Sequence, residues 1–427
     1  MKIVIKQLLF IIALTMPLNA FAADKSALTV NQAIETALKG NPNYAQIQAR
    51  YKSLQDIPSQ EGALPDPTIA LNGMNLPAND FDTKQEGMTQ IQFGISQAFP
   101  FPGKLALKER AAEYLAAAEL DNVYELHLKL KQQVTSSWWE LYYIERSLEV
   151  IKANLNLLRQ FVKVAETKYK VGDGLQQDVL LAQLELSKLL EQEIRVKSLK
   201  KNEAATLNTL MGEGAHKTLS LSKLADKSLS TIPLVEDLIA QANETSPLLK
   251  KDDNLILAAE SRLALAEKEY YPDFKVGVNY GDRSGNNVDG SRRDDVVSLM
   301  FNMSVPLYAS SKQDKGVSQR KNELSQRQYS RQDTQNDISS RIVILSSNYL
   351  KSRDLFNLFD TGIIPQAQQT VDSMLSGYKV SKVDFLNLVR SQITLLNYQI
   401  RYWRALSQGK QFLAKLDEIT VGEDPYE

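Results

Sequence analysis

The sequence predicts a mostly helical chain built from two copies of one unit, a very long coiled-coil hairpin joined to a β-hairpin. Three observations carry that prediction. Apolar or aromatic residues recur at Leu141, Ile144, Leu148, Ile151, Leu155, Leu158, Val162, Ala165 and Tyr169. Such alternating steps of three and four form a heptad seam, narrower than an ordinary amphipathic face. The order of segments then returns about 205 to 209 positions later, the mark of an internal repeat. Four short runs between the helical stretches alternate with period two, as strands do.

The chain opens with Lys2 and Lys6 around an apolar run through Leu8, Phe10, Ile12 and Leu14, followed by Ala20-Phe21-Ala22. That is the pattern of a cleaved signal peptide over residues 1–22. The run is too short to span the roughly 30 Å of a bilayer core as a helix, and no later stretch is long and apolar enough either. Export is therefore expected, and any membrane crossing falls to β-strands. The first repeat is expected over 23–232 and the second, with a C-terminal tail, over 233–427.

In the first repeat, Leu28 to Ile34 opens a helix that reaches Gly40-Asn41-Pro42, and a second helical stretch runs to about Ala63. Pro65-Asp66-Pro67 leads into a strand with Ile69 and Leu71 on one face and Thr68, Ala70 and Asn72 on the other. A polar loop, Asn79 to Gly87, precedes a strand with Ile91, Phe93 and Ile95 against Gln90, Gln92, Gly94 and Ser96. Strands of roughly 9 to 12 residues are expected, the length that crosses a bilayer at a tilt. Phe99-Pro100-Phe101-Pro102-Gly103-Lys104 then hands over to a helix expected from Leu105 to Val171, roughly 100 Å long at about 1.5 Å per residue. It ends at Tyr169-Lys170-Val171-Gly172-Asp173-Gly174, where both glycines allow positive φ and Asp173 with Gln176 reads as a capping box.

The second repeat follows the same order. Leu234 to Ser246-Pro247 echoes Val30 to Asn41-Pro42, and Tyr271-Pro272-Asp273 echoes Leu64-Pro65-Asp66. Its strands set Phe274, Val276, Val278 and Tyr280 against Lys275, Gly277 and Asn279, then Val297, Leu299, Phe301, Met303 and Val305 against Ser298, Met300, Asn302 and Ser304. A helix from near Ser311 carries a seam at Ile342, Leu345, Tyr349, Phe356, Phe359 and Ile363, and Pro365 is expected to kink it. The second tip is Tyr378-Lys379-Val380, with Ser381 and Asp384 in capping-box spacing. Gln183 and Gln392 each lie fourteen residues past their turn tyrosine.

Composition excludes several functions. With 50 basic and 51 acidic residues there is no electrostatic case for a nucleic-acid partner. The absence of cysteine removes thiol nucleophiles, disulfides and a cysteine lipid anchor, and only His127 and His216 are available to a zinc site. No convergent nucleophile, base or metal constellation is present, so neither an enzyme nor a cofactor is expected. Met74, Met88, Met300 and Met303 around the strands read as gap-filling thioethers ahead of a soft-metal site. Trp138-Trp139 and Tyr142-Tyr143 read as helix packing.

The two-faced strands fit a small sheet packed on the helices with its polar face in water. They also fit a membrane barrel, but four strands cannot close one, since barrels start at about eight. Spanning strands would therefore require several copies sharing one barrel, with the long helices forming a shared tube beneath it.

Taken in order, these residues resemble the TolC-like outer-membrane efflux proteins over almost the whole mature chain. Leu64-Pro65-Asp66-Pro67, Asn75-Leu76-Pro77, Gln97 to Lys104 and Ile364-Pro365-Gln366-Ala367 are similar to the heavy-metal efflux branch. The resemblance implies a homotrimer whose α-barrel is topped by a shared twelve-stranded β-barrel in outer-membrane lipid. It implies a passive, trans-periplasmic exit duct, with energy supplied by an inner-membrane pump of the resistance-nodulation-division type, joined through a periplasmic adaptor. The expected cargo is heavy-metal cations; drugs or type I secreted substrates are the alternative within the class, and a secreted coiled-coil structural or adhesive protein is the alternative outside it.

Carried over by position, Gly172, Gly174, Asp178, Tyr378, Ser381, Asp384, Asn387 and Arg390 would lie at the periplasmic entrance that receives the adaptor. Turn and cap chemistry alone accounts for several of these residue types. Asp178, one turn into its helix, is the strongest candidate for a gate, paired with Arg390 or a turn tyrosine. The two aspartates of the family's acidic constriction would fall at Asn387 and Arg390, so an acidic selectivity ring is not expected. Branch relatives also carry a lipid-anchoring cysteine, which this chain lacks.

Overall fold

The computed structural model describes residues 27–223 and 227–421; the expected signal peptide lies outside them. Thr29 begins the first helix with a capping box, its hydroxyl accepting from Gln32 N while the Gln32 side chain accepts from Thr29 N. Helices α1 (Val30–Gly40), α2 (Pro42–Gln55) and α3 (Ile57–Gly62) follow, and α2 starts on Pro42 because Asn41 caps it and proline needs no N–H partner there. Strands β1 (Thr68–Met74) and β2 (Gln90–Phe99) precede α4 (Lys104–Lys170), one unbroken helix of 67 residues, and its return partner α5 (Gln176–Leu210). The same order recurs as α6 (Val235–Thr245), α7 (Pro247–Lys268), β3 (Phe274–Asp282), β4 (Val296–Met303), α8 (Gln313–Leu358), α9 (Ile364–Lys379) and α10 (Phe385–Thr420).

The expected kink at Pro365 takes a specific form. Proline offers no N–H for the helical ladder, and the chain widens into one π-turn, Phe359–Ile363, before resuming as α9. The N–H of Ile364 reaches back to the carbonyl of Phe359, a five-residue step. Phe359 stays buried, so the wider turn keeps the seam in the core.

Along α4 the heptad seam is buried from Leu141 to Leu158, with Ile151 wholly enclosed. Toward the tip Phe161 is buried beside half-buried Val162, Ala165 stays buried on the seam, and Tyr169 is 48% exposed. Trp138, Trp139 and Tyr142 form the middle of the core, with Trp138 and Tyr142 stacked at 5.3 Å. The Trp138 indole N–H donates to the Leu28 carbonyl at 3.0 Å, tying down the N-terminal segment, which also bridges to Leu221.

The four strands form one antiparallel sheet in the order β1-β2-β3-β4, so the two hairpins are joined through β2 and β3. Strands β2 and β3, with 10 and 9 residues, have the expected length, while β1 and β4, with 7 and 8, are shorter because the turns after Met74 and before Val296 take up their ends. Burial is inverted relative to a sheet in water. Ile69, Leu71, Leu299 and Phe301 are 83, 67, 82 and 66% exposed, while Gln92, Ser96 and Asn279 on the opposite face are buried. Gly94 gives room for the Asn279 amide to lie down across the strands, and that amide donates to the Met300 sulfur at 3.5 Å. Met300 thus sits on the polar face and Met303 on the apolar one, as their phases predict.

Lys104 locks the sheet to the helices. Its side chain is 4% exposed, and its ammonium meets Asp273 at 3.0 Å, Glu269 at 3.4 Å and the Tyr271 carbonyl at 3.2 Å. Asp273 also accepts from the Phe101 N–H at 2.8 Å, and Phe101 stacks on Tyr271. The β2–α4 and α7–β3 crossings are therefore one unit.

Replacing Trp138 by phenylalanine should lower the melt modestly, through the smaller ring, and speed hydrogen exchange around residues 27–29, since it removes the Leu28 hydrogen bond. Replacement by alanine should lower stability by about 3–5 kcal/mol through the cavity left behind. Thermal melts with exchange mass spectrometry test both.

Candidate functional site

The two hairpin tips lie side by side and share one set of contacts. Each long helix ends in a Schellman motif. In the first, Gly172 N donates to the Tyr169 carbonyl and Asp173 N to that of Lys168; in the second, Ser381 N donates to Tyr378 and Lys382 N to Gly377. Gly172 at φ +78° and Ser381 at φ +55° occupy the same left-handed position. Serine there carries strain that glycine does not.

Close packing inside each turn is met in opposite ways. A Cβ on Gly174 would come within 2.9 Å of the Lys168 Cβ, and one on Gly377 within 2.6 Å of the Val383 side chain. The first tip places glycine in the turn, which leaves Lys168 on the helix free to be a long cation. The second places it on the helix.

Lys168 is the centre of the site. Its ammonium, on a side chain only 14% exposed, donates to the Ser381 hydroxyl at 2.7 Å, pairs with Asp173 at 3.2 Å and lies 4.9 Å from the Tyr378 ring centre. The Ser381 hydroxyl in turn donates to Asp173 at 3.2 Å. Neither Asp173 nor Ser381 therefore caps a helix as expected. The caps are Leu175 and Asp384, both without a side-chain cap bond. The expected cap side chains are engaged across the two tips, where the Lys168 charge makes the stronger partner.

Tyr378 is buried against Phe385, with ring centres 5.2 Å apart, and its enclosed hydroxyl has no hydrogen-bond partner. Burial, then the charges of Asp178 and Asp173, pushes the phenol up to about 12. Asp178 is held at the third position of α5, and burial followed by the charge of Asp384 raises its carboxyl above the ordinary carboxylate range. Asp178 lines the same pocket as Tyr378, but the expected pairing is not made: the Tyr378 hydroxyl bonds to nothing, and among the described residues no ion pair joins Asp178 to Arg390. Asp384, Asn387 and Arg390 are exposed on α10, and Asn387 occupies there the position Asp178 holds on α5.

Lys168 was not among the residues singled out from sequence, because a lysine in a last helical turn reads as an ordinary dipole partner. The signal was the Lys168–Gly377 exchange between repeats, together with Gly174 against Val383. Gln392 behaves similarly: it is buried and donates to Asn154 at 2.7 Å, while its repeat mate Gln183 is exposed. Among the described residues no cluster of three or more His, Asp and Glu side chains could hold a metal ion.

Comparison with known proteins gives a consistent picture. The outer membrane efflux protein family model matches residues 33–213. The cobalt-zinc-cadmium resistance protein CzcC of Cupriavidus metallidurans is 20% identical over 397 residues, covering 92% of this chain and 90% of its own. The outer-membrane channel OprN superposes with a TM-score of 0.78 at 13% identity over 94% of each chain. CusC superposes with a TM-score of 0.74 at 12% identity over 93% of this chain and 91% of its own.

Two outcomes are expected at the tips. Tyr378→Phe removes a buried hydroxyl that bonds to nothing, so it should be neutral or stabilising by up to about 1 kcal/mol, whereas Tyr378→Ala should destabilise strongly. Denaturant titration separates them. The folded chain holds the Asp178 proton to a higher pH than the unfolded chain does. Ionisation therefore costs stability above the carboxylate range, and stability returns as pH falls toward the unfolded value. Asp178→Asn should melt with the parent near pH 4 and above it near pH 7, since an ordinary aspartate titrates at about 3.9.

Proposed function

We infer that this chain, which resembles the TolC-like outer membrane efflux proteins and their heavy-metal branch along most of its length, is the outer-membrane exit duct of a tripartite exporter. One observation carries the reading. A sheet that turns its apolar face outward and its polar face inward stands at the end of helices roughly 100 Å long. An apolar outer band and a polar interior are what a spanning barrel needs, and the helices are long enough to cross a periplasm. Among the described residues no helix is long and apolar enough to cross a membrane.

On this reading the mature chain comprises a repeat over 23–232 and a repeat over 233–427, after a signal peptide at 1–22. Three copies share a twelve-stranded barrel and a helical tunnel. The joined hairpin tips, from Gly172 to Asp178 and Tyr378 to Arg390, form the periplasmic entrance and meet an adaptor that links the duct to a resistance-nodulation-division pump. The duct is passive and carries no catalytic centre. At the tips Lys168 joins the two helical hairpins through bonds to the exposed side chains of Asp173 and Ser381, so a docking partner can reach and exchange them at small cost. Heavy-metal cargo is supported by the similarity to CzcC over most of both chains.

Three experiments test the reading. A deletion strain should become sensitive to cobalt, zinc, cadmium, copper or silver and keep its resistance to dyes and antibiotics; the reverse pattern would retain the duct and discard the metal cargo. An aspartate at Phe93 or Phe301 should abolish heat-modifiable oligomers in the outer-membrane fraction, while one at Gln92 or Ser298 should largely spare them. Equal damage would refute the assignment of faces. Gly172→Val forces a branched side chain into a left-handed turn, and should reduce export at least tenfold while oligomer yield stays normal.

A further inference from the structure

A basic groove lies partway down the helices, away from both the sheet and the tips. It encloses about 660 Å³ between α5 and the loop that follows it. Lys197, Lys200 and Lys201 from α5 and Lys217 from the loop form its rim, with His216 beside them. Ala204, Ala205 and half-buried Leu219 give it an apolar floor. Among the described residues no carboxylate lines it.

The charges are arranged to face outward. Lys197 pairs with Glu193 at 2.8 Å, Lys200 with Glu145 at 2.9 Å and Lys217 with Glu213 at 2.5 Å. In each pair the carboxylate is the more enclosed member, with glutamate side chains 14, 13 and 26% exposed against 52, 38 and 57% for the lysines. A group arriving from solvent therefore meets the ammonium ends first. Lys201 is exposed and, among the described residues, has no ion-pair partner. Exposed pairs hold weakly, so an incoming carboxylate can share or replace each glutamate.

The loop is in place beforehand. Asn208, wholly buried, donates its amide to the carbonyls of Lys217 at 2.7 Å and Ala215 at 3.4 Å. The Lys217 N–H closes a turn on the Gly214 carbonyl at 2.9 Å. A ligand then binds without first having to order the segment.

The internal repeat supplies a control. The step of 209 that carries Tyr169 to Tyr378 carries Lys201, Ala204 and Ala205 to Lys410, Leu413 and Ala414, which line a smaller groove of about 340 Å³. In place of Lys197 and Lys200 stand Leu406, buried in the core, and Gly409, pressed against Leu229. Asp417 and Glu418 also line that groove, so its charge is mixed. The fold makes a groove in both repeats, and of the two the first alone has a wholly cationic lining.

Position and shape narrow the partner. Glu145, beneath Lys200, is 41 residues along α4 from Lys104 and 25 from Lys170, roughly 60 Å below the sheet and roughly 40 Å above the tip. A lipid headgroup at the sheet cannot reach it. The stretch from Lys197 to Ala205 covers roughly 12 Å of α5, more than one small anion bridges, and an apolar floor calls for an apolar side chain.

We propose that this groove docks an extended, acidic segment of a partner protein. Its carboxylates meet Lys197, Lys201 and Lys217, and an apolar side chain between them rests on Ala204 and Ala205. The contact is separate from the hairpin tips and does not depend on their forming an entrance.

The test titrates the purified full chain in detergent against a fluorescein-labelled peptide of alternating aspartate and leucine, read by fluorescence anisotropy. Saturable binding is expected, weakening as salt rises. Lys201→Glu, which disturbs no existing ion pair, should weaken it at least threefold. Lys197→Glu, Lys201→Glu and Lys217→Glu together should weaken it at least tenfold, while arginine at the same three positions should keep it within twofold. Lys410→Glu in the mate groove should leave it unchanged, and helical melts verify that each variant is folded. No saturable binding, equal binding of a lysine–leucine peptide, or an equal loss through Lys410→Glu would overturn the proposal. Displacement by an equal concentration of pyrophosphate would overturn it in favour of a small-anion site. Protection of Lys201 from an amine-reactive label in oligomers without peptide would overturn it by showing that a neighbouring copy already fills the groove.

Discussion

The sheet's face inversion governs what the rest of the molecule has to be. Water would draw Gln92, Ser96 and Asn279 outward and bury Ile69, Leu299 and Phe301, and the chain does the opposite. Such a surface is stable only against other apolar matter. Once the strands lie in such a medium, every backbone N–H and C=O must be paired, and four strands leave two edges that are not.

Coupling between the sheet and the helices depends on one buried cation. Lys104 has little exposed surface and three oxygen partners, all on the α7–β3 crossing. A buried charge is tolerated only when it is paired and hydrogen-bonded, so this arrangement holds both crossings in a single geometry. At the far end Lys168 does something different. Its partners Asp173 and Ser381 are exposed, and beside it Tyr378 keeps an unbonded hydroxyl in a buried place. One end is fastened by a buried, fully paired cation and the other is held by contacts to exposed side chains.

The candidate site was only partly legible. Gly172, Ser381, Asp178 and Tyr378 stood out because turns and caps use a small vocabulary of residues, and the structure brings Ser381, Asp178 and Tyr378 together while Gly172 faces open space. Asp384 adds its charge to that cluster, whereas Asn387 and Arg390 are exposed positions of the same tip. The capping boxes read at Asp173 and Ser381 did not form, since spacing along the chain says nothing of a stronger partner on the other hairpin. Lys168 was missed for the same reason: its role exists only where residues 213 positions apart meet.

By itself the sequence determined the periodic features: the helical hairpins, the two repeats, the positions of the strands and which residues share a face. Periodicity is a local property, set by 3.6 residues per turn in a helix and two in a strand. Tertiary structure decided which of two equivalent faces is buried, that β2 and β3 join the hairpins into one sheet, and how the helix takes up Pro365. It also decided that Phe161 is buried where the seam offers Val162, while Tyr169 at the tip is left exposed. These depend on what lies across a contact from a residue, and neighbours brought together from distant parts of the chain leave no period in the sequence to read.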